Sequence, residues 1–134
     1  METNTTLILA LGSNDDAENN MEKAQDMLQH LFQDVDFSTC IWTDPINIES
    51  GKFLNCLAVT RSMHNTKQLV LALKQIEKKC GDTKPKRRMN HIRMDIDILE
   101  YKGVRYHEKD WSRPYIQELL AEFGIKSEDL GEQE

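Results

Sequence analysis

Apolar residues in this chain recur in two alternating rhythms, one of period two and one of three to four, and their order leaves few folds open. Thr6 to Leu11 is a continuous aliphatic run that stops at Gly12-Ser13-Asn14, the pattern of a buried strand ending in a turn. From about Asp16 to Phe32, Met21, Ala24, Leu28 and Leu31 lie three or four apart, the stripe of an amphipathic helix with acids near its start. Val35, Phe37, Thr39 and Ile41 alternate in a second strand that ends at Thr43-Asp44-Pro45. After the polar loop Ile46 to Lys52, the stretch Phe53 to Met63 puts Phe53, Asn55, Leu57 and Val59 on one face and Leu54, Cys56 and Ala58 on the other. Neither face is polar throughout, which predicts a central strand. Asn65 offers an N-cap to a second helix bearing Leu69, Leu73 and Ile76, and Gly81 stands where its C-terminal cap is wanted. Lys84 to Arg93 lacks periodicity, contains Pro85, and reads as a loop. Met94 to Tyr101 is the next strand, Lys102-Gly103 turns it into a short partner around Val104 to Tyr106, and a last helix is expected from about Tyr115 to Phe123.

Strand, helix, strand, strand, helix, strand predicts an α+β fold of ferredoxin-like βαββαβ order. Its antiparallel sheet carries helices packed on one face and is followed by a short C-terminal hairpin and helix. A chain of 134 residues holds one domain. Its core is expected over about 6–123, followed by an acidic tail, 124–134. With 39% hydrophobic and 30% charged residues, and no apolar run near the roughly 18 residues of a membrane span, the composition is that of a soluble globular protein. The polar Met1 to Thr6 has no secretory pattern, so a cytoplasmic protein is the expectation. Cys40, Cys56 and Cys80 are odd in number and widely spaced, which argues against a disulfide framework or structural zinc and places Cys40 and Cys56 in the core.

A net charge of −6 excludes a generally basic, nucleic-acid-coating surface. Lys84, Lys86, Arg87, Arg88 and Arg93 nevertheless crowd together just before Met94-Asp95-Ile96-Asp97-Ile98. Side chains two apart on a strand share a face, so Asp95 and Asp97 stand side by side and repel. A hard cation such as Mg²⁺, its shell completed by phosphate oxygens, offsets that repulsion. An isolated D-x-D is commonly a solvated strand face, and a lone basic run is commonly a solvated loop. Adjoining, the two supply both halves of a nucleoside triphosphate site. Gly12-Ser13-Asn14 is too short for a P-loop and by itself marks a turn. Of the histidines, His91 inside the basic loop has the best claim to the site, while His30, His64 and His107 are expected on the surface.

Over residues 6–123 the chain resembles the 6-hydroxymethyl-7,8-dihydropterin pyrophosphokinase family. Leu11-Gly12-Ser13-Asn14 is similar to its first-strand signature, and Thr43-x-Pro45 followed by Phe53-Leu54-Asn55 to its T-x-P and (F/Y)-L-N elements. Gln75-Ile76-Glu77 followed by Gly81 is similar to the end of its second helix. Arg88-Met89-Asn90-His91-Ile92-Arg93-Met94-Asp95-Ile96-Asp97-Ile98 keeps the length and both acids of its R-W-G-P-R-T-x-D-x-D-(I/L). The resemblance implies transfer of pyrophosphate from ATP to the pterin hydroxymethyl in folate biosynthesis, with release of AMP. Two Mg²⁺ ions at Asp95 and Asp97 and charge stabilisation by Lys84, Arg88 and Arg93 are implied with it.

It further implies a pterin held by Thr43, Phe53, Asn55 and Phe123, and ATP held by Gln75, Glu77, Lys84, Arg88, Ile98 and Tyr115. The implied partners are these two small molecules, with neither nucleic acid nor membrane, and a monomer is expected. The chain departs from the family at Met89, Asn90-His91 and Ile92, places Asp82 and Asp110 where basic residues are usual, and has Tyr115 for a histidine. Those departures carry the alternative of a family member with weakened catalysis that binds nucleotide or pterin. A third alternative is a ferredoxin-like RNA-binding module, against which stand the net charge and the lack of aromatics interleaved with basic residues.

Overall fold

The structure, a computed structural model, describes residues 4–126, so residues 127–134 of the expected acidic tail lie outside the described residues. The two central strands, β1 (Thr5–Ser13) and β4 (Phe53–Ser62), are the aliphatic runs that sequence periodicity picks out, and they pair antiparallel over their length. On the far side of β1 lies β5 (Asp95–Tyr101), followed by the two-residue β6 (Val104–Arg105). The short strands β2 (Asp36–Phe37) and β3 (Ile41–Thr43) both pair with the outer edge of β4. The sheet order β2-β4-β1-β5-β6 is antiparallel throughout and agrees with the ferredoxin-like order read from the sequence.

Strand alternation divides the core in two. Leu7, Leu9 and Leu11 of β1, with Cys56, Ala58, Ile96 and Ile98, meet α1 (Ala17–Leu31) and α2 (Thr66–Lys79), whose buried stripes include Met21, Ala24 and Leu28 on α1 and Leu69, Leu73 and Ile76 on α2. The second helix begins at a capping box in which Asn65 Oδ1 accepts the Gln68 N–H at 2.8 Å and Gln68 Oε1 accepts the Asn65 N–H at 3.4 Å. On the opposite face Ile8, Leu57 and Leu99 pack against α4 (Glu108–Trp111) and α5 (Pro114–Ala121) through Trp111, Ile116, Leu119 and Leu120. A bulge at Leu99 then shifts the alternation, since Leu9 faces Ile98 while Ile8 faces Glu100, and Tyr101 joins the first face. Helix α5 covers only this end of the second face. The other end, carrying Gly12, Phe53, Asn55, Asp95 and Asp97, opens into cavities. No described helix is long and apolar enough to cross a membrane.

Three sequence expectations need correction. The strand expected from Val35 to Ile41 is two short pieces. The register sum changes by one between Phe37↔Ala58 and Ile41↔Asn55, and the Ser38 hydroxyl accepts the Leu57 N–H at 2.8 Å where the ladder breaks. Cys40, expected in the core, lies at this break and is exposed, while Cys56 is buried. The segment read as a basic loop contains α3 (Lys84–Arg88): Thr83 caps it by accepting the Lys86 N–H at 3.2 Å, and Pro85 sits in the first turn, where no intrahelical N–H bond is lost.

Candidate functional site

Asp95 and Asp97 alternate with the buried Ile96 and Ile98, which anchor β5 to α2 and aim both carboxylates at the uncovered half of the second face. They lie opposite Gly12 and Ala10 of β1, which in turn face Asn55 and Leu57 of β4. Two cavities meet at the acids. One, of ≈ 620 Å³, runs along the edge of β5 left open because β6 pairs only as far as Glu100, and is lined by Lys74, Glu77, Lys84, Ile98 and His107. The other, of ≈ 320 Å³, lies over Gly12 and is lined by Thr43, Phe53, Asn55, Asp110, Arg113 and Tyr115. Arg87, Asp95 and Asp97 line both.

Arg87 is the cation at the junction. Its Nε donates to Asp82 Oδ1 at 2.5 Å, its Nη1 to Asp95 Oδ1 at 3.2 Å and its Nη2 to the Met94 carbonyl at 3.1 Å, and Nη2 stands 3.7 Å from Glu77 Oε1. Glu77 also uses Oε2 to accept the Ile96 N–H at 2.7 Å, satisfying an amide on the open edge of β5. Burial pushes the Glu77 carboxyl above the usual range, against the Ile96 bond and Arg87, which lower it. Asp97 is pushed up to about 8, first by burial, then by the neighbouring Asp95, with Asp110 and Glu77 adding to it. A cation beside the two acids would offset the repulsion that raises Asp97. Two hard oxygen donors on one strand face, open to both cavities, fit Mg²⁺ in the presence of phosphate oxygens.

In the smaller cavity Asn55 Nδ2 donates to Thr43 Oγ1 at 2.7 Å and to the Phe53 carbonyl at 3.3 Å, fixing the orientation of the amide. Gly12 makes room for it: a Cβ there would stand 3.1 Å from Asn55 Oδ1 and 3.8 Å from the Phe53 ring. Gly12→Ala is therefore expected to crowd the Asn55 amide and cost about 1–3 kcal/mol of stability, which urea unfolding measures.

Ser13 and Asn14 do more than turn the chain. Asn14 Nδ2 donates to the Asn90 carbonyl at 2.8 Å, Asn14 Oδ1 accepts the Ile92 N–H at 2.7 Å, and Ser13 Oγ donates to the Ile92 carbonyl at 3.3 Å. They clamp the segment between α3 and β5 and so hold Arg87 and Asp95 in register. Asn14→Ala is expected to cost about 1–3 kcal/mol, because the Ile92 N–H loses its partner; urea midpoints measure it.

Of the residues singled out from sequence, the structure gathers Asp95, Asp97, Glu77, Lys84 and Ile98 about the larger cavity and Thr43, Phe53 and Asn55 about the smaller. Tyr115, expected on the ATP side, lines the smaller cavity instead, and burial raises its hydroxyl above its ordinary value. Gln75 and Arg88 are exposed and line neither cavity, and Phe123 packs with the α5 core. Arg93 is turned away: its Nε donates to the Cys80 carbonyl at 2.9 Å, Nη1 stands 3.7 Å from Asp15, and it lies so close to Gly81, at φ +100, that a Cβ there would meet Nε at 2.8 Å. His91 is exposed and lines neither cavity.

Sequence reasoning missed the roles of Arg87 and His107. Arg87 was one cation among five, and only the turn of α3 singles it out. His107 follows β6, and its Nε2 stands 3.7 Å from Asp97 Oδ1. A family model described as 7,8-dihydro-6-hydroxymethylpterin-pyrophosphokinase matches residues 8–124. Comparison with curated proteins gives no match.

Proposed function

The chain belongs to the 7,8-dihydro-6-hydroxymethylpterin-pyrophosphokinase family, and from that premise we propose that it transfers the terminal diphosphate of ATP to the hydroxymethyl of 6-hydroxymethyl-7,8-dihydropterin, releasing AMP. The observation that carries this reading is that two cavities of different size meet at Asp95, Asp97 and Arg87. The smaller, with the Phe53 ring and the oriented Asn55 amide, suits a flat heterocycle with a hydrogen-bonding edge. The larger, with Lys74, Lys78 and Lys84 near its wall, suits a polyphosphate and its nucleoside.

Asp95 and Asp97 would hold two Mg²⁺ ions, which when bound neutralise phosphate charge and polarise the oxygens about the β-phosphorus. The protein's own groups do the rest. The smaller cavity holds the pterin with its hydroxymethyl toward the acids, and the larger aims the β-phosphorus at it, so that attack and departure of AMP lie in line. Arg87, which lines both cavities and is bonded to Asp95, would neutralise charge on the transferring phosphates, and Lys84 would add a second cation from the first turn of α3. Asp97, held up to about 8 without a cation, releases its proton when one binds, so binding of the ion strengthens as pH rises through that value.

A second reading, a member that binds its ligands with weakened catalysis, is favoured by the engagement of Arg93 with Cys80 and Asp15 and of Arg87 with Asp82. Steady-state ATP consumption with Mg²⁺, with and without the pterin, separates the two. Turnover that requires the pterin is expected; consumption at the same trace rate in both cases would leave only the binding reading.

A further inference from the structure

A cluster beside the proposed magnesium positions has a different donor set. One ligand atom from each of Asp97, His107 and Asp110 lies within 4.8 Å of the other two. Asp97 comes from β5, whereas His107 is the N-cap of α4 and Asp110 lies three residues on in that helix, so the fold brings the start of α4 against β5. Asp97 lines both cavities, His107 the larger and Asp110 the smaller, which puts the cluster at the passage between them, open to solvent ions.

We infer that Asp97, His107 and Asp110 form a site for one divalent transition-metal ion. Two carboxylates this close repel unless a cation lies between them, and the third group is an imidazole, a donor that Mg²⁺ takes poorly and Zn²⁺, Co²⁺ and their neighbours take well. Three protein ligands with the remaining positions open to water or substrate is the coordination of exchangeable zinc-type sites. Asp110 already accepts from Arg113 Nε through Oδ1 at 2.9 Å, and a carboxylate can keep that bond and ligate through its other oxygen, so Arg113 orients the ligand. His107 Nε2, at 3.7 Å from Asp97 Oδ1, is near the separation of two ligands on one ion. Because Asp97 is shared, an ion here competes with Mg²⁺ for that carboxylate. The site stands on these contacts alone and does not require the transfer reaction.

The test is a Co²⁺ titration of the tag-free, metal-stripped protein without nucleotide, followed by the visible d–d absorption of the ion. One saturating equivalent is expected, with affinity lowered at least about tenfold by His107→Ala and by Asp110→Asn, and lowered less by Asp95→Asn. His107→Gln serves beside His107→Ala as a second removal of the nitrogen, with circular dichroism confirming the fold of each. Absence of saturable Co²⁺ absorption, or unchanged affinity in both His107 variants, would overturn the inference. Pterin-dependent ATP turnover of the unaltered protein with Mg²⁺ is measured separately: its absence counts against the transferase reading and leaves the spectra to judge the cation site.

Discussion

Asp97→Asn is expected to give a folded protein that is more heat-stable than the parent in metal-free buffer, yet at least about a thousandfold slower in pterin-dependent ATP turnover. Both effects have one cause. Asp97 is packed among Asp95, Asp110 and Glu77, with His107 at 3.7 Å and Arg87 engaged on Asp95 rather than on it. In the unfolded chain its carboxyl loses the proton near pH 4, whereas in the folded, metal-free protein it keeps it up to about 8. Between those values the folded state binds more protons than the unfolded one, so stability falls as pH rises, and the loss is complete above about pH 8. Asparagine, neutral at every pH, removes that penalty. The melting temperature of the variant, measured in EDTA, is expected to exceed that of the parent by a margin that widens from pH 5 to pH 8.5. A margin that shrinks over that range would contradict the electrostatic picture of the site. The loss of turnover follows from removing the negative charge and one of the two carboxylate oxygens at the point where the two cavities meet, and a variant within tenfold of the parent would remove Asp97 from the chemistry.

Arg87→Met carries the largest expected loss of stability, about 2–3 kcal/mol. The guanidinium is the common partner of Asp82, Asp95 and Glu77, and of these Glu77 and Asp82 are largely buried, at 10% and 16% side-chain exposure. Removing one partner from a fully buried charge group costs about 3–5 kcal/mol, and the figure here is lower because the Arg87 side chain is itself 33% exposed. Methionine keeps much of the stem volume, which confines the change to charge and hydrogen bonding. Adding Asp82→Asn to Arg87→Met is expected to restore part of the loss, since one of the stranded carboxylates is then neutral. Urea unfolding of parent, single and double variants measures all three. A single variant as stable as the parent would show that α3 and β5 are held together by packing alone.

The regular elements were legible because their signals are local. The period-two runs of β1, β4 and β5 and the stripes of α1 and α2 read directly as strands and helices, and their order specifies the sheet. The acid pair was legible for the same reason: alternation alone puts Asp95 and Asp97 on one face. What escaped depends on contacts distant in sequence or on backbone geometry. Ser38 breaks its strand by offering a hydroxyl to Leu57, nineteen residues on. Pro85 looks like a loop residue until Thr83 is recognised as a cap. Asn14 reads as a turn residue, and its work is done on Asn90 and Ile92. Arg87 and Arg93 are chemically alike in the sequence. One is turned inward by the short helix onto three carboxylates, and the other is drawn away by Cys80 and Asp15.

The family fits this frame, and so do its departures. Asp82, an acid where the resemblance implies a basic residue, binds Arg87 at 2.5 Å, so the two form one unit. Asp110, likewise unusual, binds Arg113 and stands by Asp97 and His107. Each of these two acids has an arginine as a hydrogen-bond partner within the fold.

The most direct measurement is ³¹P NMR of the protein incubated with ATP, Mg²⁺ and 6-hydroxymethyl-7,8-dihydropterin. Coupled signals of a diphosphate ester on the pterin, growing in step with AMP and absent with Asp97→Asn, are the expected result. ADP with a pterin monophosphate, ADP with inorganic phosphate, or unchanged ATP would contradict diphosphate transfer at the Asp95–Asp97 junction.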